Sequence, residues 1–169
     1  LLNYINDLGN KRIEVVHFVH EPGNNNSLIS NDVYSIKQDV HGQFWIGMLN
    51  GGLNLLTDPF RNPVFQQIFK DEGKESGIVS NEVRDLFFDK QQNLWIATSE
   101  GVSILGNKYL KADKRKFINL QASITDPNSM MGKVVYQIRQ AQSNDIYLAT
   151  LDGGVNQLKA NDFRQGVFR

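Results

Sequence analysis

"QNLWIAT" at 92–98 decides the fold of this chain, because the same pattern occurs twice more at a nearly fixed spacing. "GQFWIGM" occupies 42–48, and "NDIYLAT" occupies 144–150. The central aromatic residues are Trp45, Trp95 and Tyr147, which lie 50 and then 52 residues apart. A period of about 50 residues is typical of repeat architectures, propellers among them. We therefore expect three copies of one structural unit.

The match between the copies extends well beyond the aromatic residue. The copies span 27–56, 77–105 and 129–158, and each has a valine 12 residues before its aromatic residue. An aspartate lies six residues before it in the first two copies, and Ala141 takes that place in the third. A glycine followed by an apolar residue comes after it in all three. The structural repeat positions are Trp45, Trp95, Tyr147, Asp39, Asp89, Gly52, Gly101 and Gly154.

Each copy predicts a series of short strands joined by tight turns. Residues 33–38, 83–88 and 135–140 are rich in the β-branched and aromatic residues that suit a packed strand. An Asp-containing turn, the strand with the aromatic residue, a glycine turn and a third strand follow. Fourth strands are predicted at Val64–Phe69 and Phe117–Leu120. Four antiparallel strands per repeat indicate an all-β fold made of β-propeller blades.

The chain is predicted to hold about three and a half blades. "LNYIND" at 2–7 matches "LNLLTD" at 53–58, so the chain starts in a third strand, with Ile13–Val19 as the fourth. The predicted units are a half blade at 1–20 and blades at 27–70, 77–120 and 129–169, the last with an incomplete outer strand. Because closed propellers have four to eight blades, we expect a piece of a longer protein. The alternative is a complete three-blade solenoid.

Composition limits the classes of partner. The 169 residues include 18 basic and 18 acidic side chains, with no basic patch, so nothing predicts nucleic-acid binding by this piece. Cysteine is absent, which excludes disulfides and thiolate metal sites. No apolar run approaches the roughly 18 residues of a membrane span.

No catalytic or metal-binding motif is present in the sequence. The histidines are His17, His20 and His41, and the first two lie three apart on a predicted strand, which points them to opposite faces. Nucleophile-elbow, zinc-protease, phosphate-loop and dinucleotide motifs are missing. We expect no catalytic residue, no metal and no cofactor. The repeated aromatic rings should fill the space between blades, and Ser30-Asn31 and Ser80-Asn81 should satisfy backbone groups where one blade leads into the next.

Candidate binding residues are sought where the copies differ. The connection into the first strand of a blade and the turn between its second and third strands lie on one face of a propeller. Equivalent positions at the start of the first strand, and in the turn, hold different polar side chains suited to a small ligand. These candidates are Tyr34, Arg84 and Tyr136 on the first strands, and Asn50, Glu100 and Asp152 in the turns.

The copies resemble the two-component regulator propeller repeat, whose pattern is "GL-x-SN-x-V", an inner strand, "D-x-x-G-x-LWIGT" and "x-GGLN-x-L". The copy at 27–56 matches this pattern nearly residue for residue, whereas Ala141, Asn144 and Tyr147 depart from it in the third. The resemblance implies a seven-bladed propeller in the periplasmic part of a hybrid two-component sensor histidine kinase of the Bacteroidetes type. It further implies a homodimeric inner-membrane protein that detects an oligosaccharide or other small ligand and controls transcription through a phosphorelay. Kinase activity would then belong to the whole protein and not to this piece.

Three other interpretations remain open. The propeller could be a protein-interaction scaffold without a small ligand, which an extended apolar top face would favour. It could be an enzyme such as a lyase or a glycosidase, which would need clustered carboxylates or a metal near the axis. It could serve a sensor with a cyclase or phosphatase output. An arc of blades also leaves apolar faces at both ends, so we expect self-association or further blades in the complete protein.

Overall fold

The computed structural model describes residues 3–7, 11–71 and 75–160, which form thirteen strands and one 3₁₀ turn at Asn107–Tyr109. The strands are β1 Asn3–Asp7, β2 Lys11–Val15, β3 Val33–Gln38, β4 Phe44–Met48, β5 Leu53–Thr57, β6 Val64–Ile68, β7 Val83–Phe88, β8 Leu94–Thr98, β9 Gly101–Leu105, β10 Phe117–Leu120, β11 Val135–Gln140, β12 Ile146–Thr150 and β13 Val155–Leu158. Among the described residues no helix is long and apolar enough to cross a membrane.

The strands form antiparallel sheets in simple up-and-down order. β3–β6 and β7–β10 make two four-stranded sheets, β11–β13 make a three-stranded sheet, and β1 pairs with β2. The fold class predicted from the repeats, all-β with propeller blades, is confirmed. The predicted first strands coincide with β3, β7 and β11. The strand predicted after Leu158, around "GVFR", lies outside the described residues, and the blade boundaries stay predictions.

Two predicted strand ranges need correction. The strand predicted at Ile13–Val19 spans Lys11–Val15 instead, because Val15 pairs with Asn3 and β1 begins there. The sequence predicted that His17 and His20 lie on this strand, but both lie beyond its end. His20 lies in an isolated parallel bridge with Leu28. The strand predicted at Val64–Phe69 ends one residue earlier, at Ile68.

The middle strands are buried on both faces, which explains their nearly continuous apolar sequences. All five residues of β8 and all five of β9 are buried. Side chains alternate between the faces of a strand, and each face here packs on a different neighbouring blade. Trp45 belongs to the core between the first two four-stranded sheets, whereas Ile46 packs on the other side of the same strand. Trp95 lies in the next core, between the second and third sheets.

Each tryptophan is tied to the aspartate six residues before it. Trp45 Nε1 donates to Asp39 Oδ2 at 3.0 Å, and Trp95 Nε1 donates to Asp89 Oδ2 at 2.9 Å. The other oxygen of each aspartate accepts two backbone N–H groups of the following turn, at 2.8–3.0 Å. A single buried carboxylate therefore closes the turn and fixes the indole ring between the blades.

The third copy loses both partners of this bond together, because it has Ala141 and Tyr147. Its turn keeps the same backbone shape: Asn144 adopts a φ of 74°, the left-handed region that Gly42 occupies in the first copy at 79°, and donates to Ala141 O at 3.1 Å. Asp145 then accepts hydrogen bonds from the Ala160 N–H and the Ser143 hydroxyl, both at 3.0 Å. These bonds hold the pKa of Asp145 below its usual value, the backbone N–H of Ala160 being the larger cause.

Asparagine side chains join one blade to the next. Asn31 Oδ1 accepts the N–H of His20 at 2.8 Å, and Asn81 Oδ1 accepts the N–H of Lys70 at 2.6 Å. Both amides thus satisfy a backbone donor at the end of the preceding outer segment. The serine before each asparagine accepts the N–H two residues on, from Asp32 at 3.1 Å in the first copy. This geometry matches the role expected for the Ser-Asn pairs.

The first complete sheet has one open apolar face. Val33 and Ile36 on β3 are 44% and 54% exposed, whereas Val83 and Leu86, at the same positions of β7, are fully buried by the first sheet. A groove on this open face is lined by Val16, Phe18, Leu28, Val33, Ile36, Phe44, Ile46, Leu56, Pro59 and Phe60. The face that a preceding blade would cover is therefore apolar and accessible.

Candidate functional site

The two sets of loops that were predicted to share one face are hydrogen-bonded to each other in every blade. The turn after β4 donates from Leu49 N to Asp32 O at 3.1 Å. The equivalent bonds run from Ser99 N to Glu82 O at 3.1 Å and from Leu151 N to Val134 O at 3.0 Å. We call this end of the blades the top face. The turns after β3 and β5 lie at the opposite end, because successive strands are antiparallel.

The innermost strand of every blade carries a bulge at the same place. The register shifts between Val33 and Ser35 in β3, between Val83 and Asp85 in β7, and between Val135 and Gln137 in β11. The extra residues are the sequence candidates Tyr34, Arg84 and Tyr136. A bulge bends the strand and re-aims the side chain of its extra residue, which is why bulges are frequent beside functional sites. Local sequence carries no clear signal for such a register shift.

The structure brings two of these three candidates into contact. The Arg84 guanidinium carbon lies 4.7 Å from the centre of the Tyr136 ring, within the range of a cation–π interaction. Tyr136 itself is 46% exposed. Tyr34, on β3 at the other side of β7, is 55% exposed. Two exposed tyrosines and an arginine stacked on one of them therefore lie at the top of adjacent inner strands.

Glu82, which the sequence analysis missed, is the ionic partner of Arg84. It lies two residues earlier, on the segment leading into β7, and the corresponding residue of the first copy is Asp32. An acidic residue immediately before the first valine in two copies was the available signal. Arg84 Nε is buried and has no hydrogen-bond partner among the described residues.

The candidate turn residues occupy the same face in different environments. Glu100 is held by Lys70, whose Nζ lies 2.9 Å from its Oε2, so this carboxylate links the second blade to the segment that leaves the first. Asn50 and Asp152 are exposed. Gly132 has a φ of 79°, and a Cβ there would lie 2.8 Å from the backbone N of Gly153, so only glycine lets the two top loops of the third blade approach each other.

A second polar set, also missed from the sequence, connects the inner strands directly below the bulges. Ser35 Oγ accepts the N–H of Leu86 at 3.1 Å, and Asp85 Oδ2 accepts the N–H of Ile138 at 3.2 Å. Asp85 also pairs with Arg139 at 3.2 Å. Each side chain thus satisfies a backbone donor on the exposed edge of the next inner strand. These bonds hold adjacent bulges in a defined relation.

His20 and His41 are not grouped with the candidate binding residues. His20 Nδ1 lies 2.7 Å from Leu28 O, in the crossover into the first blade. His41 is exposed in the turn after β3, at the end opposite the top face. Within residues 3–7, 11–71 and 75–160, no three His, Asp or Glu side chains are grouped as they would be to hold a metal ion.

The fold is that of propeller blades, and a family model from known proteins matches two of the three copies. The model of the family "Two component regulator propeller" matches residues 27–50 and 77–100. The chain therefore contains two-component regulator propeller repeats, as the resemblance predicted. The third copy, which has lost the aspartate and tryptophan, lies outside the matched residues.

Individual relatives agree with this assignment. The chain is 33% identical over 75 residues to "Histidine kinase P4" of Formosa agariphila, a match that covers 44% of this chain and 6% of the relative. The extracellular domain of a hybrid two component system from B. thetaiotaomicron is 26% identical, with a TM-score of 0.67 over 82% of this chain and 18% of that domain. The chain thus spans a small fraction of the length of both.

A structural likeness to an enzyme concerns the fold alone. Streptogramin B lyase superposes with a TM-score of 0.53 and 17% identity, over 86% of this chain and 42% of the lyase. Identity at this level indicates a shared propeller architecture. It carries no argument for a shared reaction, because the same fold holds many unrelated sites.

Proposed function

We propose that this chain is part of the extracytoplasmic sensing region of a two-component sensor histidine kinase, and that it contributes to a site for an oligosaccharide on the top face. The whole protein would be a periplasm-facing homodimer in the inner membrane. It would contain further blades and signal across the membrane to control transcription. The repeats at 27–50 and 77–100, together with the likeness to a hybrid two-component extracellular domain, support the sensor class.

The observation that carries the ligand site is the common position of the three bulges. In all three blades the extra residue of the bulge is polar or amphipathic: Tyr34, Arg84 and Tyr136. Tyr34 and Tyr136 are 55% and 46% exposed, so packing of the blade core does not account for them. Tyrosine rings stack on the apolar faces of sugars, and arginine hydrogen-bonds their hydroxyls.

Signalling requires that the ligand favour one arrangement of the sensor over another. The blades pack through buried apolar cores and are unsuited to gradual deformation. The ligand-dependent change would therefore lie in how the propeller packs against its neighbours in the dimer. The interior of the third blade is packed like the others, so this blade would contact the ligand only through its exposed top-face residues.

The direct test is the melting temperature of the complete sensor in the presence of oligosaccharide pools. We expect at least one pool to raise it, and we expect Arg84→Ala to abolish that rise. Arg61→Ala is the matched control, since Arg61 is an exposed arginine in the β5–β6 turn at the opposite end of the blade. Absence of a shift with every pool, or an equal loss in both variants, would refute the site.

A protein partner is the second candidate, because part of the top face is apolar. Met131 and Leu151, in the two top loops of the third blade, are 68% and 65% exposed. If the face docks a protein and not a sugar, Met131→Ser with Leu151→Ser will impair signalling while no oligosaccharide changes the melting temperature. If the sugar site is correct, this pair of changes will leave the ligand-induced shift in place.

A further inference from the structure

Glu82 and Arg84 form an ion pair on the top face. The side chains of Arg84 and Glu82 are 18% and 30% exposed, so the pair is partly withdrawn from water. The ring of Tyr136 covers the guanidinium from another side. The charge of Arg84 is therefore balanced by Glu82, and its guanidinium is held in place as a hydrogen-bond donor.

An anionic ligand would meet two obstacles at this pair. To bind Arg84, its carboxylate or sulfate would have to displace Glu82, or lie beside it. The first leaves a partly buried carboxylate without its partner, and the second places like charges a few ångströms apart in a region less polar than water. Either outcome weakens binding of an anion relative to a neutral molecule of the same shape.

The other charged groups of the top face include both signs. Lys70, another cation at this end of the blades, is already paired with Glu100 at 2.9 Å. Asp32 and Asp152 are exposed carboxylates, and Lys133 is an exposed cation. Acidic and basic groups are thus mixed on this face, with Asp32, Glu82, Glu100 and Asp152 beside Lys70, Arg84 and Lys133.

The uncharged groups of the top face are suited to hydrogen bonds with the hydroxyl groups of a ligand. Tyr34 and Tyr136 offer half-exposed rings with hydroxyls, and Asn50 offers an amide. The paired Glu82 carboxylate and Arg84 guanidinium can also accept and donate hydrogen bonds, and together they carry no net charge. We infer that the face binds a neutral, hydroxyl-rich oligosaccharide and that Glu82 is the residue that excludes acidic ones. This inference rests on the proposed function and specifies the ligand class of that site.

The test compares neutral and acidic sugars on two variants of the complete protein. The probes are neutral oligosaccharides from partial hydrolysis of plant polysaccharides, and oligogalacturonates of similar length. Calorimetry gives a Kd for each. Glu82→Gln keeps the shape and a hydrogen-bond acceptor for Arg84 but removes the charge. Glu75→Gln is the matched control, because Glu75 pairs with Lys116 at 3.2 Å beside the outer strand, away from the top face.

We expect the unaltered protein to prefer the neutral pool by about tenfold or more, the factor that one charge-assisted contact contributes. Glu82→Gln should reduce this preference by about tenfold through tighter binding of oligogalacturonate, and Glu75→Gln should leave it unchanged. An unaltered protein that prefers oligogalacturonate would overturn the inference and leave the proposed function standing. Equal behaviour of the two variants would remove Glu82 as the determinant. Binding of neither pool would overturn the proposed function itself.

Discussion

The indole N–H of Trp95 donates a hydrogen bond of 2.9 Å to the carboxylate of Asp89, six residues earlier, across the turn that joins β7 to β8. Trp45 and Asp39 make the same bond at 3.0 Å. The aspartate and the aromatic residue, which the sequence shows only as a fixed spacing, are therefore one structural unit. The third copy lacks both members, which is the result expected if either one alone is of little use.

Asp89→Ala should destabilise the chain strongly, because four donors lose their acceptor. They are the N–H groups of Gln91 and Asn93, the amide of Asn93 and the Trp95 indole, all within 2.8–3.0 Å of a carboxylate that is 4% exposed. We expect a loss of about 2–4 kcal/mol in the free energy of unfolding, measured by urea denaturation. Asp126→Ala, which removes one exposed bond to Asn128 N, should cost less than about 1 kcal/mol. Similar losses in both variants would contradict this account.

The glycines of the top turns should differ in their tolerance of alanine. Gly101 has a φ of 131°, and a Cβ there would lie 2.2 Å from Leu120 O. Gly101 thus lies against the backbone of β10. Gly154 has a φ of 68°, and within residues 3–7, 11–71 and 75–160 nothing lies within 4 Å of an added Cβ.

Gly101→Ala should therefore cost roughly 3 kcal/mol or more, from backbone strain and the clash together. Gly154→Ala should cost only about 1 kcal/mol, the usual penalty of the left-handed region. Thermal unfolding followed by circular dichroism distinguishes the two. An equal decrease in Tm for both would show that β10 moves aside freely.

The open face of the first complete sheet should make the isolated 169-residue chain associate. Val33, Ile36 and Phe60 are 44%, 54% and 90% exposed on or beside the apolar groove. Ile36→Glu should shift sedimentation toward the monomer, because it places a charge on that face. Val40→Glu is the control, since Val40 is 62% exposed in a turn outside the groove. A chain that is monomeric at high concentration before any substitution would show that this face does not mediate association.

Asp145 should titrate below an ordinary aspartate, because the Ala160 N–H and then the Ser143 hydroxyl lower its pKa. The unfolded-state pKa is about 3.9. A depressed folded-state pKa means that its contribution to stability is present above that value and is lost as the pH falls through the folded-state pKa. Carboxyl NMR should show the lower midpoint, and Asp145→Asn should remove this part of the acid dependence, whereas Asp126→Asn should keep it. A midpoint at or above about 3.9 would disprove the bonds.

Much of the fold could be predicted because its signals are local and repeated. The first strands at 33–38, 83–88 and 135–140, the turns at Asp39 and Asp89, and the glycine turns all follow from residues a few positions apart. The end of β2 was predicted four residues too late, at Val19, because three of the four residues at 16–19 are apolar. The strand ends at Val15, which pairs with Asn3 at the start of β1. The candidate binding residues were located on one face, but their partners were not.

The sequence alone determined the period, the strand order and the residues that pack each blade, because every blade solves the same local problem with the same residues. Only the tertiary structure decided that Tyr34, Arg84 and Tyr136 lie in bulges, that Arg84 contacts Tyr136 52 positions later in the chain, and that Glu82 neutralises it. Register and inter-blade contacts depend on residues about 50 positions apart. No local pattern encodes them, since they arise when two blades are packed face to face.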